Sequence, residues 1–291
     1  MYTLTIAIPT CNRASKLDKT LKNFINQILS NNLEKKVNIV ISDNASTDNT
    51  PEIVKNIQQQ YQNIEIKYSR NKKNTGWKNL KIAGDMANGE FVWICSDDDE
   101  YAENIITVLK EKIESNPQIP YMYIPAVQSK IESQGNENLY SFLLRGGMCS
   151  ALISSNVFKT QNLKNTKAKS MTWYHMDIIF NMDMNSPIEI LPKLINMPAE
   201  NDENHWYTKA KNVLDYDTEI VNVVKKSKLP QDIKNVIYQH YKSCLPREIG
   251  RYRNKCKKDV FFVIKCMHRL KNIEYFQEEF VSLKNILFNK K

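Results

Sequence analysis

Four short apolar runs, each followed by polar residues, constrain this chain more than any other feature. They are Leu4–Ile8, Val37–Ile41, Ile64–Tyr68 and Glu90–Cys95. Runs of this length read as buried strands. Between them apolar residues return at steps of three and four. Leu17, Leu21, Phe24, Ile25, Ile28 and Leu29 share one helical face, and Ser15 with Asp18 offers a start signal. Thr50-Pro51 suits the cap and first turn of a second helix whose inner face is Ile53, Val54, Ile57 and Tyr61. A third, short helix around Trp77–Ala87 stops at Asn88-Gly89. Strands joined by helices are parallel, with helices on both faces. The expected fold is α/β: a Rossmann-like, mostly parallel sheet.

Open sheets of this kind bind ligands beyond the carboxyl ends of their strands. Here those ends carry Thr10, Asn12 and Arg13, then Asp43, then Asp97-Asp98-Asp99. Three adjacent carboxylates at the buried end of a strand repel one another with little screening. A divalent cation relieves that repulsion, and carboxylate oxygens suit Mg²⁺ or Mn²⁺. An acidic triplet is most often a solvated loop, but its place after a Val-Trp-Ile strand on the ligand edge selects the metal reading. Asp43 can accept the N3–H of a uracil or thymine ring, a group that cytosine lacks, or it can close a turn. Asp48 suits the turn. Arg13, Arg70, Lys72, Lys73 and Lys78 are candidate partners for base, ribose or phosphate. The Asn74–Asn79 segment is too short to cradle phosphate, and neither G-x-x-x-x-G-K nor G-x-G-x-x-G occurs. That argues against an ATPase and against a nicotinamide dehydrogenase.

Past Asp99 the periodicity weakens. Ile105–Ile113 reads as a helix, and Tyr121–Val127 as a strand that Pro125 sends to an edge or a bend. Gly146-Gly147 and Ser150–Ser155 suggest a loop, a short strand and a helix start. Trp173–Asp183 reads as helical. From Thr218 onward helices follow, interrupted near Pro230 and Pro246. The expected organisation is a first half over 1–100, a second half over 101–217 and a basic helical region over 218–291. That last region holds the charge: residues 221–291 carry 17 Lys/Arg against 6 Asp/Glu, within a net charge of +9. The six cysteines show no paired metal spacing, which fits a reduced compartment. No apolar run approaches the ~20 residues that span a bilayer, and Met1 leads almost directly into the first strand, leaving no room for a signal peptide.

LTIAIPTCNR, ISDNASTDNT, NTGWKN and GEFVWICSDDDE, in that order and spacing, resemble the family 2 glycosyltransferases of the GT-A fold. SDDD and the later GGMCSALISSNVF are similar to the abequosyltransferase-like branch. The resemblance implies inverting transfer from a nucleotide sugar, usually a uridine diphosphate sugar, to a hydroxyl of a growing glycan. It places Pro9, Thr10, Asn12 and Arg13 around the nucleotide, with Asn74 and Lys78 near it, and gives Asp43 the base. The metal-binding DxD function, for Mn²⁺ or Mg²⁺, falls within Asp97–Asp99. Ser96 stands where the first Asp of D-x-D-D is usual, so which carboxylates act stays open. The family's base often comes from an E-D pair; here the region reads Trp173-Tyr174-His175-Met176-Asp177, with Asp177 the first candidate and His175 the second. His205-Trp206 is a further candidate for the sugar or metal. The implied partners are a nucleotide-sugar donor and a glycan or lipid-linked glycan acceptor, in surface polysaccharide or lipooligosaccharide synthesis. The basic, aromatic stretch over 247–270 suits either an anionic membrane surface or an ordinary packing helix. The expected location is cytoplasmic, with peripheral contact at the inner face of the plasma membrane. Nucleic acid is not expected. The rivals are a sugar-nucleotide nucleotidyltransferase, whose glycine-rich opening loop is absent, and an inactive glycan-binding or scaffold protein.

Overall fold

The computed structural model describes residues 1–146, 152–167, 170, 172–197, 210–255 and 259–288. Its first hundred residues follow the apolar pattern: β1 Leu4–Thr10, α1 Ala14–Ser30, β2 Val37–Asp43, α2 Thr50–Gln60, β3 Ile66–Arg70, α3 Lys78–Asp85 and β4 Phe91–Ile94. Beyond them come β5 Glu100–Tyr101, α4 Ile105–Ser115, β6 Tyr121–Tyr123, β7 Glu137–Asn138, α5 Leu139–Gly146, β8 Asn156–Lys159, α6 Thr160–Asn165, α7 Tyr174–Phe180, β9 Pro187–Ile190 and β10 Ile195–Asn196. Eight strands form one sheet in the order β3-β2-β1-β4-β8-β6-β9-β7, and β5 pairs with β10 in a separate ribbon. β3, β2, β1 and β4 are parallel neighbours. β8 is inserted antiparallel between β4 and β6, with Trp93 opposite Val157. The carboxyl end of β4 therefore meets the start of β8.

Alternation along each strand fixes the two faces. Leu4, Ile6 and Ile8, with Ile39, Ile41 and Trp93, turn toward Leu17, Leu21, Phe24 and Ile28 of α1 in one buried cluster. The Phe24 ring lies 5.3 Å from Trp93 and 4.9 Å from Tyr101, so the core reaches directly beneath the acidic loop. Phe24→Ala would cost about 3–5 kcal/mol. α3 packs on the opposite face, where a Cβ on Gly84 would sit 3.2 Å from Ile94 Cδ1. Position 89, just ahead of β4, is glycine because a Cβ there would come within 2.8 Å of Thr5 N.

Several sequence expectations change. α1 is not capped by Ser15 or Asp18; it begins after Arg13 with no side-chain cap, and the Ala14 N–H donates to Asp48 Oδ2 at 3.0 Å. Asp48 Oδ1 also accepts from Thr50 N–H at 3.1 Å and Thr50 Oγ1 at 2.6 Å. One carboxylate thus serves two helix starts, and Thr50 opens α2 rather than capping it. The Pro125 segment is not an edge. β6 stops at Tyr123, before the proline, and is interior between β8 and β9.

The chain divides into two compact units, Met1–Phe142 with Cys149–Pro198, and Leu143–Met148 with Ala199–Lys291. A single sheet spans the two expected halves, and residue 217 lies within α8 Ala210–Lys226. α9 Gln231–Lys255, α10 Val260–Leu270 and α11 Gln277–Phe288 follow. Pro230 precedes α9 as expected, but Pro246 lies within it. A helical proline costs about 3 kcal/mol; burial of Leu245, Ile249 and Tyr252 on either side offsets it. Among the described residues no helix is long and apolar enough to cross a membrane.

Candidate active site

The loop after β4 holds its carboxylates in a defined array. Asp97 is buried, with Oδ2 accepting from Thr10 Oγ1 at 2.6 Å and Oδ1 from Arg13 Nη1 at 2.8 Å. Its carbonyl accepts from Thr20 Oγ1 of α1 at 3.2 Å. Asp98 Oδ2 lies 3.0 Å from the same Arg13 nitrogen and 4.0 Å from Lys16 Nζ, while Oδ1 accepts from Ser96 Oγ. Asp99 Oδ2 accepts from Ser154 Oγ at 2.5 Å. Among the described residues Asp99 Oδ1 takes no hydrogen bond. Burial raises the Asp97 carboxyl above its ordinary value against the lowering effect of Arg13. Burial likewise pushes Asp99 up to about 6, opposed by the Ser154 hydroxyl and reinforced by the charges of Asp98 and Asp97.

The loop at the β2 end adjoins this array through Thr10, which pairs with Asp43 in the sheet and donates to Asp97. Asp43 is buried, with Oδ1 accepting from Ser46 N–H at 2.8 Å and Oδ2 from the Tyr68 hydroxyl at 2.6 Å. Arg70 Nε lies 3.6 Å from Oδ2, and Arg70 Nη2 donates to the Ser46 carbonyl at 2.5 Å. Both expected uses of Asp43 meet here: it closes a turn, and each oxygen keeps a lone pair for another donor. Asn12 (φ 53°) and Ala45 (φ 62°) are left-handed. Asn tolerates that region readily, while Ala pays of order 1–2 kcal/mol. The Asn12 side chain accepts from Thr47 N–H at 2.6 Å and its own N–H donates to Ser46 Oγ at 2.9 Å, so the loops after β1 and β2 are locked together. Pro9 sits on β1 opposite Ser42.

Asn74 joins the β2-end loop through Asn44, whose Nδ2 donates to Asn74 Oδ1 at 3.0 Å and to the Gly76 carbonyl at 3.2 Å. Asn44 Oδ1 accepts from Thr75 N–H at 2.7 Å. Lys72, Lys73 and Lys78 are exposed, Lys78 at the first position of α3. His175 and Asp177 lie on α7, every residue of which is buried. Asp177 Oδ2 accepts from Ser170 N–H at 2.7 Å, and the His175 ring is 5.8 Å from that of Trp173. The contacts named above for Asp97–Asp99 come from Thr10, Arg13, Lys16, Thr20, Ser96 and Ser154, not from α7. His205 and Trp206 lie outside the described residues. Tyr68 and Ser154 carry no local sequence signal for a role here, and Asn44 carries one only in adjoining Asp43 in the strand-end motif.

Hard oxygen donors at this loop suit Mg²⁺ or Mn²⁺. Arg13 pairs with Asp97 and Asp98, Lys16 lies 4.0 Å from Asp98, and Asp99 meets the Ser154 hydroxyl instead. Among the described residues no three His, Cys, Asp or Glu side chains form a ready-made cage. Mg²⁺-type sites commonly take one or two carboxylates and complete their shell with substrate phosphates and water. Asp99 is buried, and its Oδ1, which takes no hydrogen bond from the described residues, fits such a donor.

The model of glycosyl transferase family 2 matches residues 5–180, the span that holds β1 through α7. The chain belongs to glycosyl transferase family 2. Within that family it is 37% identical over 117 residues to the abequosyltransferase RfbV of Salmonella typhimurium, covering 40% of this chain and 34% of the relative. It is 33% identical over 112 residues to the GalNAc(5)-diNAcBac-PP-undecaprenol beta-1,3-glucosyltransferase of Campylobacter jejuni, covering 38% and 35%. The alignments thus span about a third of those relatives' length. S. aureus TarS 1-349 superposes with a TM-score of 0.63 over 99% of this chain and 90% of its own, at 15% identity. A mannosyltransferase from Pyrobaculum calidifontis, in complex with GDP-Man and Mn²⁺, superposes with a TM-score of 0.59 over 98% and 85%, also at 15% identity. At those identities the likeness establishes the fold: this family 2 chain is a GT-A-like sheet with flanking helices and a helical C-terminal region.

Proposed function

We propose that this family 2 glycosyltransferase is metal-dependent and inverting, moving a sugar from a nucleoside diphosphate sugar, a uridine one first, to a hydroxyl of a glycan acceptor. The observation that carries the reading is the acidic loop braced by Thr10 and Arg13 beside the buried Asp43 on one sheet edge. TarS binds UDP and UDP-GlcNAc in its complexes, and the Pyrobaculum enzyme holds GDP-Man with Mn²⁺. Those donors support the class of ligand for this chain. An ionised carboxylate only accepts, so Asp43 suits the N3–H of uracil.

Asp97, Asp98 and Asp99 are the residues that would hold Mn²⁺ or Mg²⁺ and the donor. Held there, the cation would supply stabilisation of negative charge on the departing diphosphate. Arg13 holds the Asp97 and Asp98 carboxylates in place, so the array needs little reorganisation when the donor arrives. Pro9, Thr10, Asn12, Asn74 and Lys78 line the nucleotide. Asp177 is the proposed base, taking the proton from the acceptor hydroxyl as that oxygen attacks the anomeric carbon; His175 is the second candidate. The Campylobacter relative is named for a lipid-linked glycan, which supports an acceptor of that kind in surface polysaccharide or lipooligosaccharide synthesis.

A lipid-linked acceptor calls for an enzyme at the inner membrane face. Within 247–270, Phe262 and Val263 are buried, whereas Val260, Ile264 and above all Phe261, at 87% exposure, face outward. Arg251 and Arg253 on the last turns of α9 are exposed as well, and Lys257 and Lys258 lie outside the described residues. Outward apolar groups amid cationic ones suit an anionic bilayer surface.

A thermal-shift screen of UDP, CDP and GDP and their sugars, with and without Mn²⁺, tests the donor. Stabilisation confined to uridine compounds plus metal is expected. Equal response to all three bases refutes the uridine reading, and no response to any of them refutes donor binding.

A further inference from the structure

The β4–β8 junction carries a feature that the donor reading leaves unused. Ser154 lies in a short turn, Ile153–Ser155, just ahead of β8, and β8 runs antiparallel to β4. That polarity brings Ser154 against the acidic loop from the second half of the sheet. Ser154 is fully buried and makes three contacts at once, one through its carbonyl and two through its hydroxyl. The carbonyl accepts from Trp93 Nε1 at 2.7 Å. The hydroxyl oxygen accepts from Ser96 N–H at 2.9 Å. The hydroxyl proton goes to Asp99 Oδ2 at 2.5 Å. Tyr101 OH is 3.2 Å from Ser154 Oγ, but it also lies 2.7 Å from the Ser96 carbonyl. Each hydroxyl has one proton. An ionised carboxylate and a carbonyl can only accept, so Ser154 donates to Asp99 and Tyr101 donates to Ser96.

We infer that Ser154 is a positioning residue for the acidic site: by holding Asp99 Oδ2 it fixes the carboxylate so that Oδ1 stays open to the cation and donor diphosphate. The inference rests on the reading of Asp97–Asp99 as the metal and donor site. Ser154 itself touches neither. It acts through Asp99 and through Ser96, whose amide sets the path of the loop. Asp97 and Asp98 lack an equivalent, since each has both oxygens engaged by Thr10, Arg13 or Ser96.

The test compares the full chain with Ser154→Ala and Ser154→Cys, the second keeping the shape with a weaker donor. Mn²⁺ binding is read from the electron paramagnetic resonance signal of free Mn²⁺, with and without UDP. Amide hydrogen exchange of the Ser96–Asp99 stretch is read in metal-free protein. Loss of a partner that orients a ligand costs about tenfold or more in metal affinity. Ser154→Ala is therefore expected to weaken Mn²⁺ binding about tenfold and to lose protection at Ser96, with Ser154→Cys between. On an Asp99→Asn background Ser154→Ala should add no further loss of affinity, because it acts through that carboxylate. Wild-type Mn²⁺ affinity in Ser154→Ala, or an equal loss on the Asp99→Asn background, overturns the inference. If the wild type itself binds no Mn²⁺, the metal reading fails separately. Unchanged Ser96 protection in Ser154→Ala then overturns the positioning role too.

Discussion

Asp99→Asn should stabilise the metal-free protein, and the gain should depend on pH in a defined direction. Burial raises this carboxyl from 3.8 to about 6. Below about pH 4 the group is neutral in folded and unfolded chains alike, and no penalty exists. Between about 4 and 6 the unfolded chain ionises while the folded one keeps its proton, so stability falls as pH rises. Above about 6 the full penalty applies. A rise of about two units at about 1.4 kcal/mol each gives about 3 kcal/mol. Asn is neutral, keeps an acceptor for Ser154 and has nearly the same shape. At 2–4 °C per kcal/mol for a unit of this size, its midpoint at pH 7.5 should exceed the wild type's by roughly 6–12 °C. Thermal unfolding in EDTA from pH 4 to 8 measures the gap. A gap below about 2 °C at pH 7.5, or one that does not close toward pH 4, refutes the reasoning. Added Mn²⁺ should raise the wild-type midpoint and leave the variant's nearly unchanged.

Arg13, whose side chain is about a third exposed, pairs with the buried Asp97 and Asp98, and Arg13→Met removes its guanidinium. The cost expected in urea unfolding without metal is about 1–3 kcal/mol, less than for a fully enclosed pair, and Mn²⁺ should narrow it. Asp177→Asn should lower kcat by roughly 10²–10⁴-fold with Mn²⁺ affinity unchanged; a kcat within twofold of wild type transfers the base role elsewhere. Phe261→Ser combined with Ile264→Ser should cut co-sedimentation with phosphatidylglycerol vesicles by about tenfold, as even half-burial of two such side chains supplies over 1.4 kcal/mol. Binding of wild type and variant alike to neutral phosphatidylcholine vesicles would discard the membrane surface.

Much of this architecture is written in local pattern. β1, β2 and β4 are legible because buried parallel strands are continuous apolar runs, and the polar residues that end them fall on one edge by topology alone. β8 is not legible in the same way: Asn156–Lys159 is too short to show a period, and its antiparallel insertion depends on partners far along the chain. The Asp48 contact to Ala14 joins residues 34 apart, so no local capping rule finds it. Tyr68 and Ser154 escape for the same reason. Their chemistry is ordinary until the fold sets one beside Asp43 and the other beside Asp99. Pro246 misleads because helix-breaking is a local cost that packing of the flanking residues outweighs.

The reversed polarity of β8 makes its two termini unequal for protein engineering. A residue grafted ahead of Asn156 arrives beside Ser96 and Asp99, whereas one grafted after Lys159 arrives by Phe91, at the far end of β4. Substitutions meant to reach the acidic loop therefore belong upstream of this strand, and labels meant to avoid it belong downstream.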